Sequence, residues 1–273
     1  MSKVENTKKR YGFLWEQNSD VPAPQTWHFN LMKEAINEPI IRGSIGIDVG
    51  SGCGYDTYVM AKDSPGVKIV SVDISDGIYN TKRITQHLSN VNPIKASALE
   101  LPLRDSMFDF AYSYGVLHHT PDPKTGFLEI ARILKKNSPA FIYLYEDHSE
   151  NFIKFLFIKI TDMIRMITVK IPPKPLYVFS KVLSPLVFIF FCLPAKCLMK
   201  FRLTENLGKK IPFNFGTGFF SLQPDLYDRF SAPIEYRFSR QEVHDLFTGA
   251  GFYDIKITRL TGVAGWVSWG YKK

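Results

Sequence analysis

A glycine-rich segment is the part of this sequence whose residue types and spacing indicate the clearest chemistry. It runs from Asp48 to Gly54 and overlaps the end of the apolar run Ile45–Val49. Glycines at such a turn let the backbone approach a ligand closely at the N-terminal end of the next helix. The next apolar run ends at Asp73, nineteen residues after Gly54, where a carboxylate can accept hydrogen bonds from both hydroxyls of a ribose. A tight turn beside a surface aspartate is the alternative, and the combined spacing favours a ribose-containing ligand.

The spacing of these glycines is GxGxG, which differs from the GxGxxG of nicotinamide sites. With Asp48 two residues before the first glycine, the segment resembles the class I S-adenosylmethionine (SAM)-dependent methyltransferases. In that family the glycine loop faces the amino-acid part of SAM, and the acidic residue that ends the second strand holds the ribose. The resemblance therefore implies cofactor contacts at Asp48, Gly50, Ser51, Gly52, Gly54 and Asp73, with Ile74 against the adenine.

Two later stretches extend the resemblance. Residues 97–103 (SALELPL) resemble the family's D-A-x-x-L-P-F, but Ser97 stands where an aspartate usually binds the adenine amino group. We therefore expect Ser97 or the backbone of Ala98 to make that contact. Residues 108–119 (FDFAYSYGVLHH) resemble F-D-x-V-x-S-x-G-V-L-H-H, which adds Ser113 as a cofactor contact.

The N-terminal residues carry a looser match. The segment Tyr11–Trp15 (YGFLW) resembles the F-G-Y-x-W opening of a subgroup whose N-terminal segment folds over the cofactor. This implies that Tyr11 and Trp15 contact SAM. The specific motifs cover about residues 43–147 and 239–271.

Candidate catalytic groups lie where strand ends would meet such a pocket, because ligands of these folds bind outside the carboxyl ends of the strands. SAM already carries an activated methyl group, so the chain needs mainly to align an oxygen or carbon nucleophile and accept its proton. His119 is the first candidate for that base and His118 the second, since a histidine pKa lies near ~6.5. The alternative is that both histidines only pack the loop after the strand. Tyr114 could shape the methyl-transfer position or pack on the cofactor. Glu146 could be a base, although a solvated strand end is the simpler interpretation, and we expect no metal there.

Alternating strand and helix patterns would position these residues. Apolar runs alternate with helical periodicity from residue 45 to residue 147 and again from Ser239, where the sequence Ser-Arg-Gln-Glu predicts a capping box. With the resemblance, this predicts an α/β fold: a Rossmann-like sheet, seven-stranded and mostly parallel, with an inserted helical lid. We expect a cap over the cofactor at 1–42, a SAM-binding core at 43–147, the lid at 148–238 and the last core elements at 239–273.

Charge is concentrated in the predicted lid. The 273 residues have a net charge of +8, but residues 151–200 alone carry eight Lys and Arg against one Asp, and the rest is nearly neutral. The longest charge-free apolar run, 182–195, has 14 residues, fewer than the ~20 needed to span a bilayer. Three cysteines exclude a disulfide framework, and the polar N-terminus shows no secretory signal, which indicates a cytoplasmic protein.

The segment 152–193 leaves two interpretations open. It is almost continuously apolar, with the charges of 152–169 confined to an arc of roughly 140° on a helix. These residues either form lid helices that pack on the core with their lysines outward, or they meet a membrane surface or an apolar acceptor. A thin stripe with few arginines disfavours nucleic acid.

The sequence therefore predicts a SAM-dependent methyltransferase that acts on oxygen or carbon of a small, apolar or lipid-linked acceptor. One alternative is a polar acceptor such as a sugar or natural product. Another is a SAM-binding protein without catalysis, which docks to a membrane or a partner.

Overall fold

The computed structural model describes residues 2–17, 28–259 and 265–273. The chain forms two compact units. The core unit comprises residues 1–146 and 234–273, and the inserted unit comprises residues 147–233. Residues 234–238, which the sequence analysis assigned to the lid, belong to the core unit.

A seven-stranded sheet with helices on both faces forms the core unit. Its order is β3-β2-β1-β4-β5-β7-β6, with parallel pairing from β3 to β5 and antiparallel pairing of β7 with both β5 and β6. The predicted α/β class and the mostly parallel, Rossmann-like sheet are confirmed. In chain order the elements are α1 (Lys3–Gln17), α2 (His28–Ala35), β1 (Ile45–Val49), α3 (Tyr55–Asp63), β2 (Lys68–Asp73), α4 (Gly77–Thr85), β3 (Val91–Lys95), β4 (Phe110–Tyr114), α5 (Pro123–Ile133), β5 (Pro139–Leu144), α11 (Arg240–Gly249), β6 (Phe252–Arg259) and β7 (Trp266–Lys272).

The central strands are short apolar runs because both of their faces are covered. Every residue of β5 is buried, and one hydrophobic cluster lies on each side of the sheet, around Ile142 and Leu144 on one face and around Phe141 and Tyr143 on the other. Parallel pairing of β1 with β2 and β4 brings the carboxyl ends of these three strands to one edge. The glycine loop and the predicted catalytic residues therefore meet at that edge.

The structure can be compared with the sequence signals for helix starts and ends. The capping box before α11 is confirmed, with Ser239 N–H donating to Glu242 Oε2 at 2.7 Å and Glu242 N–H donating to Ser239 Oγ at 3.3 Å. Gly251 ends that helix in the left-handed region, at φ +82°. The polar N-terminus contains the helix α1, which the sequence analysis did not predict. Among the described residues, the second helix, α2, begins at His28.

The inserted unit is helical. Its elements are α6 (Phe152–Thr168), α7 (Pro173–Val187), a π-helical turn (Phe188–Cys192), α8 (Leu193–Met199), α9 (Glu205–Lys210) and α10 (Gln223–Ser231). The π-turn joins α7 and α8 into one helix of 27 residues, Pro173–Met199, which is long and apolar enough to cross a membrane. The length argument from the 14-residue run is therefore wrong, because the helix extends beyond that run at both ends. One such helix is weak evidence for a span, since core helices of soluble proteins pass the same test.

Candidate active site

The glycine loop turns sharply between β1 and α3. Gly50, Gly52 and Gly54 have φ values of +84°, +56° and +84°, a region that other residues rarely adopt. A Cβ atom on Gly50 would lie 2.1 Å from Val116, and one on Gly54 would lie 2.5 Å from Thr81. Close packing and backbone conformation therefore both require glycine here.

Asp73, at the end of β2, is hydrogen-bonded to this loop. Its Oδ2 accepts the N–H of Gly52 at 2.8 Å, and its Oδ1 accepts the N–H and the hydroxyl of Ser75 at 2.7 and 2.6 Å. Burial raises the pKa of Asp73, although these hydrogen bonds oppose that shift. The structure thus brings together the loop and the carboxylate that the sequence paired, and ribose binding by Asp73 stays a prediction.

Asp48 and Ser113 lie on the inner side of the loop, where their side chains are buried. Asp48 Oδ2 accepts the hydroxyl of Thr57 at 2.5 Å, and Ser113 Oγ donates to the carbonyl of Val49 at 2.9 Å. Burial raises the pKa of Asp48 to about 8, so this carboxyl is protonated near neutral pH. These contacts give both residues a role in positioning the loop, and a contact of their side chains with the cofactor stays a prediction.

A pocket opens beside Asp73. Six predicted site residues line it, namely Gly50, Asp73, Ile74, Ser97, Ala98 and His119. A further side of the pocket, which was not predicted, is formed by Val4, Thr7 and Lys8 of α1. A signal for this helix was present, because Ser2 precedes it and its Oγ accepts the N–H of Glu5 at 3.2 Å, which is an N-cap contact.

Trp15 and Tyr11 project from the same helix toward the loop and the histidines. The indole of Trp15 packs against Gly52, where an added Cβ would lie 2.8 Å from the ring. The ring centre of Tyr11 lies 5.0 Å from that of His119. Both predicted cofactor contacts are therefore at the same edge of the sheet as the pocket.

The loop fits the amino-acid part of SAM. Three glycines leave the backbone bare, and Ser51 Oγ is a buried hydroxyl without a hydrogen-bond partner among the described residues. A buried hydroxyl ordinarily has a partner, so this atom is suited to a ligand carboxylate or amine. Gly50, Ser51 and Gly52 would hold that end of SAM, and Asp73 would hold the ribose.

The two predicted histidines differ in their surroundings. His119 Nδ1 lies 2.8 Å from the carbonyl oxygen of Ile234, so Nδ1 carries the hydrogen and the lone pair of the neutral ring is on Nε2. His118 is fully buried, and neither of its ring nitrogens has a hydrogen-bond partner in the described part of the chain. Burial lowers the pKa of His118 well below its usual value, which keeps that ring neutral.

An aromatic row of six rings continues from the histidines along the ends of β4 and β5. Tyr114 stacks between His28 and Tyr143, with ring centres 4.1 and 4.2 Å apart. Tyr145 follows Tyr143, and its ring centre lies 3.9 Å from that of His118. Burial raises the pKa of Tyr114 well above its usual value, so its phenol stays protonated. The row comprises His28, Tyr114, Tyr143, Tyr145, His118 and His119.

Glu146 is engaged by an arginine. Arg259 Nη2 lies 2.7 Å from Glu146 Oε1, and Arg259 Nε lies 3.1 Å from Glu146 Oε2. The carboxylate is 5% exposed. The expectation of a solvated strand end is therefore wrong for Glu146, and its ion pair argues against its role as a base. Among the described residues, no group of three or more His, Cys, Asp or Glu could hold a metal ion.

Residues 47–142, which contain the glycine loop, Asp73 and both histidines, match a family model described as "Methyltransferase domain". This stretch of the core unit is similar to that family. The match implies SAM as the methyl donor. A crystal structure described as a SAM-dependent methyltransferase from Aquifex aeolicus aligns over 95% of this chain and 97% of its own, with 14% identity and a TM-score of 0.54. At that identity the likeness supports the fold, which is that of class I methyltransferases.

Three curated relatives each match part of this chain. A 2-methyl-6-phytyl-1,4-hydroquinone methyltransferase from Oryza sativa is 30% identical over 127 residues, 46% of this chain and 38% of its own. A tRNA (carboxymethyluridine(34)-5-O)-methyltransferase from Saccharomyces cerevisiae is 34% identical over 110 residues, 38% of this chain and 36% of its own. A demethylmenaquinone methyltransferase from Staphylococcus aureus is 27% identical over 135 residues, 48% of this chain and 54% of its own. The chain thus spans about a third to a half of the length of these relatives.

Proposed function

We propose that this chain catalyses SAM-dependent transfer of a methyl group to an oxygen or carbon atom of a small apolar acceptor that contains an aromatic or quinol ring. The observation that carries the proposal is the hydrogen bond of 2.8 Å between the backbone of Gly52 and Asp73. It joins the glycine loop and the carboxylate into one site at the carboxyl edge of the sheet. The aromatic row begins at the same edge.

The residues would share the work as follows. SAM, when bound, supplies a methyl group on a sulfonium, which is already activated for transfer. The loop and Asp73 fix the donor's orientation, and Trp15 shields the loop from solvent. His119 Nε2 accepts the proton of a hydroxyl nucleophile, while the Ile234 carbonyl holds Nδ1–H and keeps the ring in that tautomer. His118, neutral and buried, packs between His119 and Tyr145.

The chemistry of the acceptor follows from the aromatic row. A flat ring gains favourable contact when it packs on or against other aromatic rings, so a wall built from tyrosine and histidine favours a ring-bearing acceptor. Two of the relatives are named for quinone-type acceptors, a phytyl hydroquinone and demethylmenaquinone. Such acceptors are apolar and dissolve in bilayers. We therefore also propose a cytoplasmic enzyme that meets its acceptor at a membrane surface.

Calorimetric titration with SAM tests the site. Asp73→Asn keeps the shape but removes the charge, and hydrogen bonds to a charged group contribute about 1.5–3 kcal/mol each. We expect SAM affinity to fall by at least about tenfold. Asp76→Asn is the matched control, since this carboxylate lies three residues away, is largely exposed and pairs with Lys95. Equal affinity of D73N and wild type for SAM would exclude our placement of the donor.

Labelled SAM tests the transfer. The intact chain is incubated with a short-chain prenyl hydroquinone and, separately, with a panel of sugars and polar phenols. We expect label in the hydroquinone and a fall of about 10²-fold in kcat for His119→Asn, with KM little changed. His87→Asn, an exposed histidine of the same unit, is the control. Label in the sugars alone would refute the apolar acceptor, and SAM binding without any labelled product would favour a protein that only binds SAM.

A further inference from the structure

Helix α6 of the inserted unit turns its apolar side outward. Six apolar residues lie within an arc of about 120° and are exposed, namely Phe152, Leu156, Ile160, Met163, Met166 and Ile167. The inner side carries polar groups. Arg165, ion-paired with Asp162, has a side chain only 12% exposed, and the buried Thr168 donates its hydroxyl to the Phe230 carbonyl at 2.6 Å. The expectation of outward lysines over a buried apolar face is therefore wrong for most of α6, and Lys159 is the exception on the outer side.

Helix α7 shows the same reversal. Val178, Val182 and Leu186 recur every four residues and are exposed. Two serines face inward instead, and Ser184 Oγ donates to the Phe219 carbonyl at 2.7 Å. Within the π-turn, Phe190 continues the exposed apolar surface, with 68% of its area accessible. Two neighbouring helices thus present large side chains outward and keep their hydroxyls inside.

The polar helix α10 covers the inner sides of α6 and α7. Its Tyr227 packs edge-on against Tyr177 of α7, with ring centres 5.6 Å apart. It also carries Asp225 and Arg229, which form an ion pair at 2.8 Å. Charged groups of this kind are costly at the centre of a bilayer. A fully membrane-spanning arrangement would carry α10 into that region together with α7.

We propose that the inserted unit is a monotopic membrane-docking module that lies in the surface layer of a bilayer rich in anionic phospholipids. The outer sides of α6 and α7 enter the boundary between headgroups and acyl chains, and α10 stays on the protein side. In this arrangement the exposed apolar sides of α6 and α7 contact the bilayer while their polar inner sides stay out of it. No helix then has to span the membrane. The inference is independent of the methyl-transfer proposal, because it rests on the inserted unit alone.

Charge decides which surface the module fits. Residues 147–233 carry twelve Lys and Arg against six Asp and Glu, whereas the rest of the chain carries 22 against 20. Lysines flank the apolar sides, among them Lys170 in the turn between α6 and α7 and Lys174 at the start of α7. Lys159 Nζ lies 5.2 Å from the ring centre of Phe155. Long lysine stems can cover apolar area while their ammonium groups reach phosphates. Two copies of this cationic surface would repel each other, which disfavours a dimer.

Vesicle flotation tests the docking. The intact chain is mixed with vesicles of phosphatidylcholine alone or with about 30% phosphatidylglycerol, at low and high salt. We expect co-flotation with the anionic vesicles at low salt, and a fall of about fivefold for each charge removed in Lys170→Gln and Lys174→Gln. Absence of flotation at low salt, or equal binding to both vesicle types, would overturn the proposal.

Three further variants test which surface enters the bilayer. Met166→Glu and Phe190→Glu each place a charge in the apolar sides, and we expect each to lower co-flotation by at least about tenfold. Leu128→Glu is the matched control, because Leu128 is an exposed apolar residue of α5 in the core unit. If M166E and F190E float like wild type, or if light scattering shows a dimer that M166E dissociates, the bilayer is not the occupant of this surface.

Labelling separates docking from spanning. Cys197 is exposed near the end of α8, and Lys174→Cys adds a thiol at the start of α7. On sealed vesicles, a membrane-impermeant maleimide should label both positions if the module lies on one surface. Protection of one position until detergent is added would show a membrane-spanning helix and refute the monotopic arrangement.

Discussion

Replacing Asp48 by asparagine tests the electrostatics beneath the glycine loop. The carboxyl is buried, and its hydrogen bond with Thr57 continues to Ser71, whose hydroxyl lies 3.0 Å from that of Thr57. Burial favours its neutral form, and the amide of asparagine matches the neutral carboxyl in shape. We therefore expect Asp48→Asn to preserve the fold and to remove one titrating group.

The sign and size of the effect follow from the two pKa values. The pKa of Asp48 is about 8 in the folded chain, against 3.8 for an ordinary aspartate. Between these pH values the folded state holds one more proton than the unfolded state. The contribution of Asp48 to the free energy of unfolding therefore falls by about 1.4 kcal/mol for each pH unit from about pH 4 to about pH 8. Relative to wild type, D48N should gain roughly 3 kcal/mol of stability between pH 5 and pH 7.

Urea unfolding followed by tryptophan fluorescence measures this difference. All four tryptophans lie outside residues 147–233, so the signal reports the core unit. The free energy of unfolding is determined for wild type and D48N at intervals of one pH unit from pH 5 to pH 9. Asp63→Asn is the control, since this carboxylate is half-exposed and lies 3.9 Å from Lys33.

The result that would refute the reasoning is a stability difference between D48N and wild type that does not change with pH. That outcome would mean that Asp48 is ionised in the folded chain at pH 5–7. A difference that shrinks as pH rises would reverse the sign and would mean that the folded state favours the carboxylate. In the control D63N, a pH dependence as large as that of D48N would point to a general effect of net charge.

Three further outcomes are expected. Gly54→Ala places a Cβ at φ +84° and 2.5 Å from Thr81, so thermal unfolding should show a free energy of unfolding lower by at least about 1–3 kcal/mol. Calorimetry should also show weaker SAM binding. Unchanged values of both would contradict the tight loop. Ser239→Ala removes the capping box and should lower the free energy of unfolding by about 1 kcal/mol, with Ser239→Thr as the conservative control. Glu146→Gln removes the charge opposite Arg259, which is 46% exposed, so the free energy of unfolding should fall by about 1 kcal/mol. Methyl transfer should persist in this variant. Loss of activity without loss of stability would restore Glu146 as a candidate base.

Local signals explain why the sheet and the glycine loop could be predicted from the sequence. The strand Ile45–Val49 has the predicted bounds, because an apolar run that ends in glycines has few other structures available. Gly50 and Gly54 adopt conformations that other residues rarely tolerate, so the residue type itself indicates the turn. Asp73 joins them because parallel strands bring their carboxyl ends to one edge.

Other features depended on partners far away in the chain. Glu146 meets Arg259, 113 residues later, and His119 bonds to the Ile234 carbonyl, 115 residues later. No local pattern indicates such pairs. Helix α1 was missed for a related reason, since its polar sequence has a weak apolar side and its packing at the pocket stabilises it.

The sequence by itself determined the class of the fold, the glycine loop and its pairing with Asp73, since these follow from backbone conformation and from alternating apolar runs. Only the tertiary structure decided that Asp48 is neutral, that His119 presents Nε2, and that Glu146 is held in an ion pair. It alone also decided that α6 turns its apolar side outward. Periodicity shows that a helix has two different sides, but burial, which depends on what packs against each side, decides which of them faces the protein and which charges persist.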